Sequence, residues 1–372
     1  FAYRNKPNSN LGLARFQNQA GYRHIVRRSS EGKWQELIAA PDEDKWTIRS
    51  LPVSPPPAGR PALYALSKDE RRIVYRATNG HLYEYSSDSN ASLDGKWNAY
   101  NLTLGLPKAA SEPSVVVANG KPHVFYVDEK GRVHELWYDG LWRHYPLPSL
   151  PRAEGGAVAA LNGSTLHVIY RSMYGVSYEQ SLDLRAATKD RRQWITKRGV
   201  HRLPAAGQPF GLTVNGRRNA VFLAASDWPR RAPFVFDWNE RKRVPGYRTY
   251  QGKRNTLVYA MDIGQRFKDL LSIEGTTDQV AGTFHLLSGS SNAKHYLAFR
   301  DMQGTIREYV LRGETWEMTK PTELANAPNA IGDPTGWIDG KVGTRHYIYQ
   351  GDGTSVHQLT FDGNWTHRNL SM

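Results

Sequence analysis

Residues 123–136 read HVFYVDEKGRVHEL. Two strand-like runs, HVFYV and RVHEL, flank a short polar turn. Gly131 stands eight residues after His123, and Glu135 stands twelve after it. The same offsets recur without a gap in HIVRRSSEGKWQEL (His24, Gly32, Glu36), RIVYRATNGHLYEY (Arg72, Gly80, Glu84) and HVIYRSMYGVSYEQ (His167, Gly175, Glu179). Looser copies begin at Tyr296, with Gly304 and Glu308 in register, at His346, with Gln358, and at Asn219, where two strand-like runs surround a longer basic loop. Successive copies start about 50 residues apart, the period of a blade repeat, with one interval of 77.

Strand-like material lies on both sides of each hairpin, as in PSVVVANG before His123 and LWRHYPL after Glu135. A tryptophan recurs near the start of the last run: Trp46, Trp97, Trp142, Trp194, Trp316 and Trp365. Four strands per unit and seven units predict an all-β, seven-bladed β-propeller with four antiparallel strands per blade. The blades are expected over 12–51, 62–102, 113–147, 157–200, 210–251, 281–320 and 333–370, as a single domain spanning 1–372. The Pro-rich stretch 50–62 (SLPVSPPPAGRPA) reads as a connection between blades, because the repeat runs through it. The nearest helical candidate is QRFKDLLSIEG, inside the long interval.

The chain has 372 residues, no cysteine and 11% aromatic residues. Disulfides, zinc-thiolate sites and thiol nucleophiles are excluded, and the aromatics suit both strands and stacking against sugar rings. No P-loop, dinucleotide glycine fingerprint or HExxH motif is present. No cofactor is expected. A structural calcium is considered at Asp128, Asp139 or Asp362, where no ligand spacing supports it. No apolar run reaches the length of a membrane span. The expected location is secreted or cell surface.

The net charge of +14 is concentrated: residues 185–254 hold 17 Lys/Arg against four Asp/Glu. Such a block attracts polyanions. The expected partner is a glycan or acidic polysaccharide. Nucleic acid ranks below it, although Trp194, Trp228 and Trp238 interleave with the basic loops. Oligomeric state is not set by the sequence.

The alternation hVfY…G.vhEl…W resembles the repeat of the fucose-lectin propellers of fungi and bacteria. That resemblance implies a sugar site built from an Arg early in the second strand, a Glu in the third, and aromatics packed on the sugar. Arg72 and Glu84 match that pair, with Tyr85 and Trp97 as the nearby aromatics. His24, Glu36, Glu135, Glu179, Trp194 and Trp228 complete the candidate ligand-binding set, with binding expected at more than one inter-blade site for avidity. At His24, His123 and His167 histidine replaces the arginine. A cross-strand His–Glu hydrogen bond, a repeated element of the fold, is the preferred reading there.

The fourth unit continues as YEQSLD before a basic loop and Trp194, which weakly resembles the sialidase-type BNR propellers, a group that includes polysaccharide lyases. Trp194 stands eleven residues after Asp183, and the glycine that should follow the Asp is missing. The resemblance implies an alternative function, β-elimination on a uronate polymer, for which His123, His144, His167, Arg171, Tyr174 and Tyr178 supply the residue types. A protein-interaction scaffold is the third reading.

Overall fold

The computed structural model describes residues 13–17, 21–29, 33–41, 43, 45–67, 70–87, 97–148, 151–172, 177–188, 192–198, 210–214, 217–223, 234–237, 242–245, 257–261, 270–272, 280–288, 295–301, 303–312, 315–339, 343–352 and 355–371. They form four-stranded antiparallel sheets over 14–50, 62–101, 114–146, 153–198, 210–272, 280–319 and 335–369, referred to as the first to the seventh. Strand order follows chain order in each, apart from a two-stranded insertion in the fifth. The first strand of a sheet touches the first strand of its neighbour from the first sheet through to the fifth. The same contact joins the sixth to the seventh and the seventh back to the first. The first strands thus form a continuous run from the sixth sheet through the seventh and first to the fifth, the innermost position of a β-propeller.

Hairpin register follows the opening motif. Lys121–Val127 pairs with Val133–Tyr138 so that His123 faces Trp137 and Phe125 faces Glu135. His123 and Glu135 are therefore diagonal neighbours on one sheet face. The turn between them is closed by Asp128, whose Oδ1 accepts the backbone N–H groups of Lys130 and Arg132, each at 2.8 Å. Asp301 does the same for Gln303 and Thr305 in the sixth sheet.

The recurrent glycine has two causes. Gly131 and Gly304 have φ of 75° and 87°, a region open to glycine at little cost. Each also receives the chain of the following sheet: Ala153 N–H donates to Gly131 O, and Ala330 N–H to Gly304 O, both at 2.7 Å. A Cβ on Gly131 would lie 2.7 Å from the Ala153 carbonyl oxygen. Gly131→Ala is expected to cost about 2–4 kcal/mol in denaturant melts, combining strained backbone with a clash against main chain. Gly140→Ala, at φ 80° with nothing within 4 Å of the added carbon, should lose only the conformational part, about 1–2 kcal/mol.

Apolar clusters fill the spaces between sheets. Val26, Trp34, Ile73 and Tyr75 pack between the first and second. Val74, Val124, Tyr126 and Leu136 pack between the second and third, and Phe125, Val133, Val168 and Tyr170 between the third and fourth. Inter-sheet connections are held by tyrosine hydroxyls that donate to proline carbonyls: Tyr75 to Pro55 (3.2 Å), Tyr126 to Pro107 (3.1 Å) and Tyr349 to Pro328 (2.7 Å). The Pro-rich stretch is thus a connection tied into the sheets. The six recurrent tryptophans sit at or beside the start of the fourth strand in every sheet but the fifth, as in Trp97–Asn101, Trp142–Pro146 and Trp365–Asn369.

The fifth unit differs from its expected span of 210–251. Phe234–Asp237 does not pair with Arg217–Leu223; it forms a local hairpin with Lys242–Pro245. The third strand is Leu257–Met261 and the fourth Leu270–Ser272, so part of the helical candidate is strand. Alternation marks FVFDW as extended but carries no information on which strand it pairs with. Among the described residues the one α-helix is Pro321–Leu324.

Candidate functional site

Each template His or Arg, with its Glu, faces the next sheet. His24 Nδ1 lies 2.9 Å from Glu36 Oε1, His123 Nδ1 2.8 Å from Glu135 Oε1, and His167 Nδ1 2.7 Å from Glu179 Oε1. A carboxylate can only accept, so each Nδ1–H donates.

Most copies are closed by arginines. Glu36 (1% exposed) accepts from Arg49 Nε at 2.8 Å, and Arg71 of the second sheet approaches to 3.5 Å. Glu135 accepts from Arg192 Nε at 2.9 Å, and that guanidinium lies 4.2 Å from the Trp137 ring centroid. Glu308 takes a two-pronged contact from Arg345 of the seventh sheet, at 2.8 and 3.1 Å, and the Tyr347 hydroxyl at 2.7 Å. Burial pushes the Glu36 carboxyl up, but the His24 hydrogen bond and the Arg71, His24 and Arg49 charges outweigh it and hold it below its ordinary value. These are buried ion pairs whose partners come partly from the next sheet, and they tie neighbouring sheets together.

The second sheet carries the exception. Arg72 Nη1 donates to Glu84 Oε1 at 2.7 Å, Arg72 Nε to Glu70 Oε1 at 2.6 Å, and the Tyr64 hydroxyl to Glu84 Oε2. Arg72 remains 22% exposed, against 0% for His24 at the equivalent position. Burial works against the Arg72 charge, and the Glu84 and Glu70 carboxylates outweigh it, lifting the guanidinium pKa above its ordinary value. Burial raises the Glu84 carboxyl pKa in spite of the Tyr64 and Arg72 hydrogen bonds, so Arg72 is both the firmly charged and the partly exposed member of the pair.

The candidate aromatics separate. Tyr85 and Trp97 stack at 5.1 Å, yet they pack with Ile73 and Tyr75 against the first sheet. Glu84 sits across from Val74, which faces the third sheet. Adjacent strand residues point to opposite faces, so Tyr85 cannot share the side of Glu84. Besides the buried Tyr126, the third sheet turns toward the second Trp142, packed on the cluster of Val74 and Val124, and Tyr138, 5.7 Å from it and 37% exposed.

The described members of the elimination set are divided among different inter-sheet faces. His123 faces the fourth sheet, while His144 is bonded to His134 (2.8 Å) on the face toward the second. His167 is held by Glu179, Arg171 pairs with Glu154 at 2.7 Å, and Tyr178 stacks on Tyr170 at 5.8 Å. Tyr174 lies outside the described residues, as does Trp228. Trp194 is buried edge-on against Phe125 at 5.9 Å and offers no stacking surface. Of the basic block, the described side chains are Arg185, paired with Asp183 at 2.9 Å, and the buried Arg192. Asp128 is committed to its turn and to His134 at 3.0 Å, and Asp139 to Lys121 at 2.7 Å. Among the described residues no group of three or more His, Asp or Glu could hold a metal.

Arg49, Arg71 and Arg345 were not singled out by the repeat. A signal existed for two of them: a basic residue immediately before the template position in RRIVY and RHYIY. Arg49 had none.

Burial is the leading cause that lowers the pKa of His24, His134, His144, His285, His357 and His367. Such histidines take up protons more readily in the unfolded chain. Stability from this source is complete above the unfolded value near 6.5 and is lost as pH falls from there toward the folded values. The midpoint of thermal unfolding should drop between about pH 7.5 and 5.5, and His144→Gln should flatten the slope. A pH-independent midpoint would contradict this.

No protein-family model and no curated protein matches the sequence. Among solved structures the fold is similar to that of the BP39L lectin from Burkholderia pseudomallei. The TM-score is 0.66 at 11% identity, covering 96% of this chain and 98% of that one. It is also similar to AofleA from Arthrobotrys oligospora, with a TM-score of 0.53 at 13% identity, covering 98% and 88%. At these identities the likeness is one of fold.

Proposed function

We propose that the chain is a seven-bladed β-propeller that binds carbohydrate between its second and third sheets. Seven four-stranded sheets and contact of the last with the first support the ring. The observation that carries the function is the Arg72–Glu84 pair, where, alone among the described Glu-centred copies, the template residue is a charged donor that remains partly exposed, at 22%, beside a carboxylate 5% exposed. Vicinal hydroxyls can accept from the guanidinium and donate to the carboxylate. Trp142 and Tyr138 offer faces for the C–H side of the ring. The similarity in fold to the BP39L lectin supports the same reading.

The concentrated positive charge favours acidic glycans over neutral ones through long-range attraction, and such a binder would act outside the cell or at its surface. The scattered elimination set gives binding precedence over cleavage. A glycan array at moderate salt, carrying fucosylated, sialylated and uronate-containing ligands, tests the proposal. Saturable binding with acidic ligands preferred is expected. No binding to any sugar would overturn it, and equal binding to neutral and acidic glycans would remove the anionic preference.

A further inference from the structure

We propose that the propeller axis holds a small oxyanion, bound by the Arg15 guanidinium between the innermost strands of the first and seventh sheets. This site is separate from the inter-sheet sugar site and does not depend on it. Arg15 lies on the innermost strand Ala14–Gln17, with its guanidinium carbon 5.1 Å from the Trp337 ring centroid. Trp337 belongs to the innermost strand of the seventh sheet, Thr335–Ile338. An arginine stacked on an aromatic face keeps its N–H groups in the guanidinium plane, where they can fork around two oxygens of one anion.

Four sheets contribute charge or polar groups to this region, and only an axis is accessible to four sheets at once. Arg60, which leads into the second sheet, reaches Asp333 of the seventh at 3.3 Å. Its backbone N–H donates to Glu112 at 2.9 Å. Arg300 of the sixth sheet approaches the same Asp333 at 3.9 Å. His285, also of the sixth, bonds to the Gly336 carbonyl at 3.0 Å. Its pKa falls to about 3, through burial first and then through the charges of Arg15 and Arg60. Both guanidinium groups thus act on one imidazole, although they come from different sheets.

Asp333 is shared by Arg60 and Arg300, and Glu112 accepts from the Arg60 backbone. No ion pair joins Arg15 to a carboxylate among the described residues, where its guanidinium lies on Trp337. Burial holds the Arg15 pKa down to about 10, still far above neutrality, so the group remains a cation at the axis. A desolvated cation of this kind is stabilised by a counter-anion, and its planar donors match the geometry of sulfate, phosphate or a carboxylate.

Inorganic sulfate is the probe, titrated into the full chain at constant ionic strength with chloride as the balancing ion. Thermal midpoint and heat of binding are read together. A saturable rise and a one-to-one isotherm are expected for the unmodified protein and for Arg72→Ala, which leaves the axis intact. Arg15→Gln should weaken sulfate binding at least about tenfold, through loss of a charged fork. Arg15→Lys, which keeps charge without the fork, should fall between. A non-saturating rise shared by all variants would show only general salting effects and overturn the proposal. So would an unmodified protein that gives no binding heat, a result that needs no variant to fold.

Discussion

Glu135→Ala is expected to destabilise the fold by roughly 3–5 kcal/mol, the cost of leaving a buried charge without its partner. Glu135 accepts from His123 at 2.8 Å and from Arg192 Nε at 2.9 Å. Its side chain is fully buried and that of Arg192 is 5% exposed. Removing the carboxylate strands the buried guanidinium against Trp137 without its acceptor. Glu135→Gln keeps one acceptor and should cost less. The double variant Glu135→Ala/Arg192→Met should recover much of the loss, since an apolar replacement carries no stranded charge. Chemical denaturation midpoints at neutral pH decide the matter. A loss below about 1 kcal/mol would mean that the pair contributes no more than a surface ion pair does.

Arg72→Ala is expected to have the opposite signature. Truncating one member of a hydrogen-bonded charge pair in a binding site typically costs about 2–5 kcal/mol of affinity, or a factor of roughly 30 upward. Arg72 is the exposed member of its pair, so its removal should reduce binding to the best array ligand far more than it reduces stability. Trp142→Ala should weaken binding through loss of the stacking face, while Trp97→Ala, on the opposite face of the second sheet, should not. Calorimetric titration of the three variants distinguishes these outcomes. Equal losses for Trp97 and Trp142 would contradict the assignment of faces.

The hairpins were legible because the motif contains its own register. Once the turn is centred near Lys130, His123 must sit opposite Trp137, and it does. The glycine was legible as a turn residue, but not as the place where the next sheet makes contact, because Ala153 lies outside the motif. Face assignment was missed for a similar reason. Glu84 and Tyr85 are adjacent in sequence and look like one site, whereas strand alternation sends them to different neighbouring sheets. The closing arginines come from other strands and other sheets, so the copies looked alike in sequence while differing in access. In the fifth unit, Phe234–Asp237 has the pattern of a sheet strand, and only its pairing with Lys242–Pro245 shows otherwise.

The most direct test is a crystal structure of the full chain with the tightest array ligand. The sugar should lie between the second and third sheets, within hydrogen-bonding distance of Arg72 and Glu84 and with its apolar face on Trp142 or Tyr138. A sugar bound elsewhere, with the Arg72–Glu84 opening occupied only by water, would contradict the account.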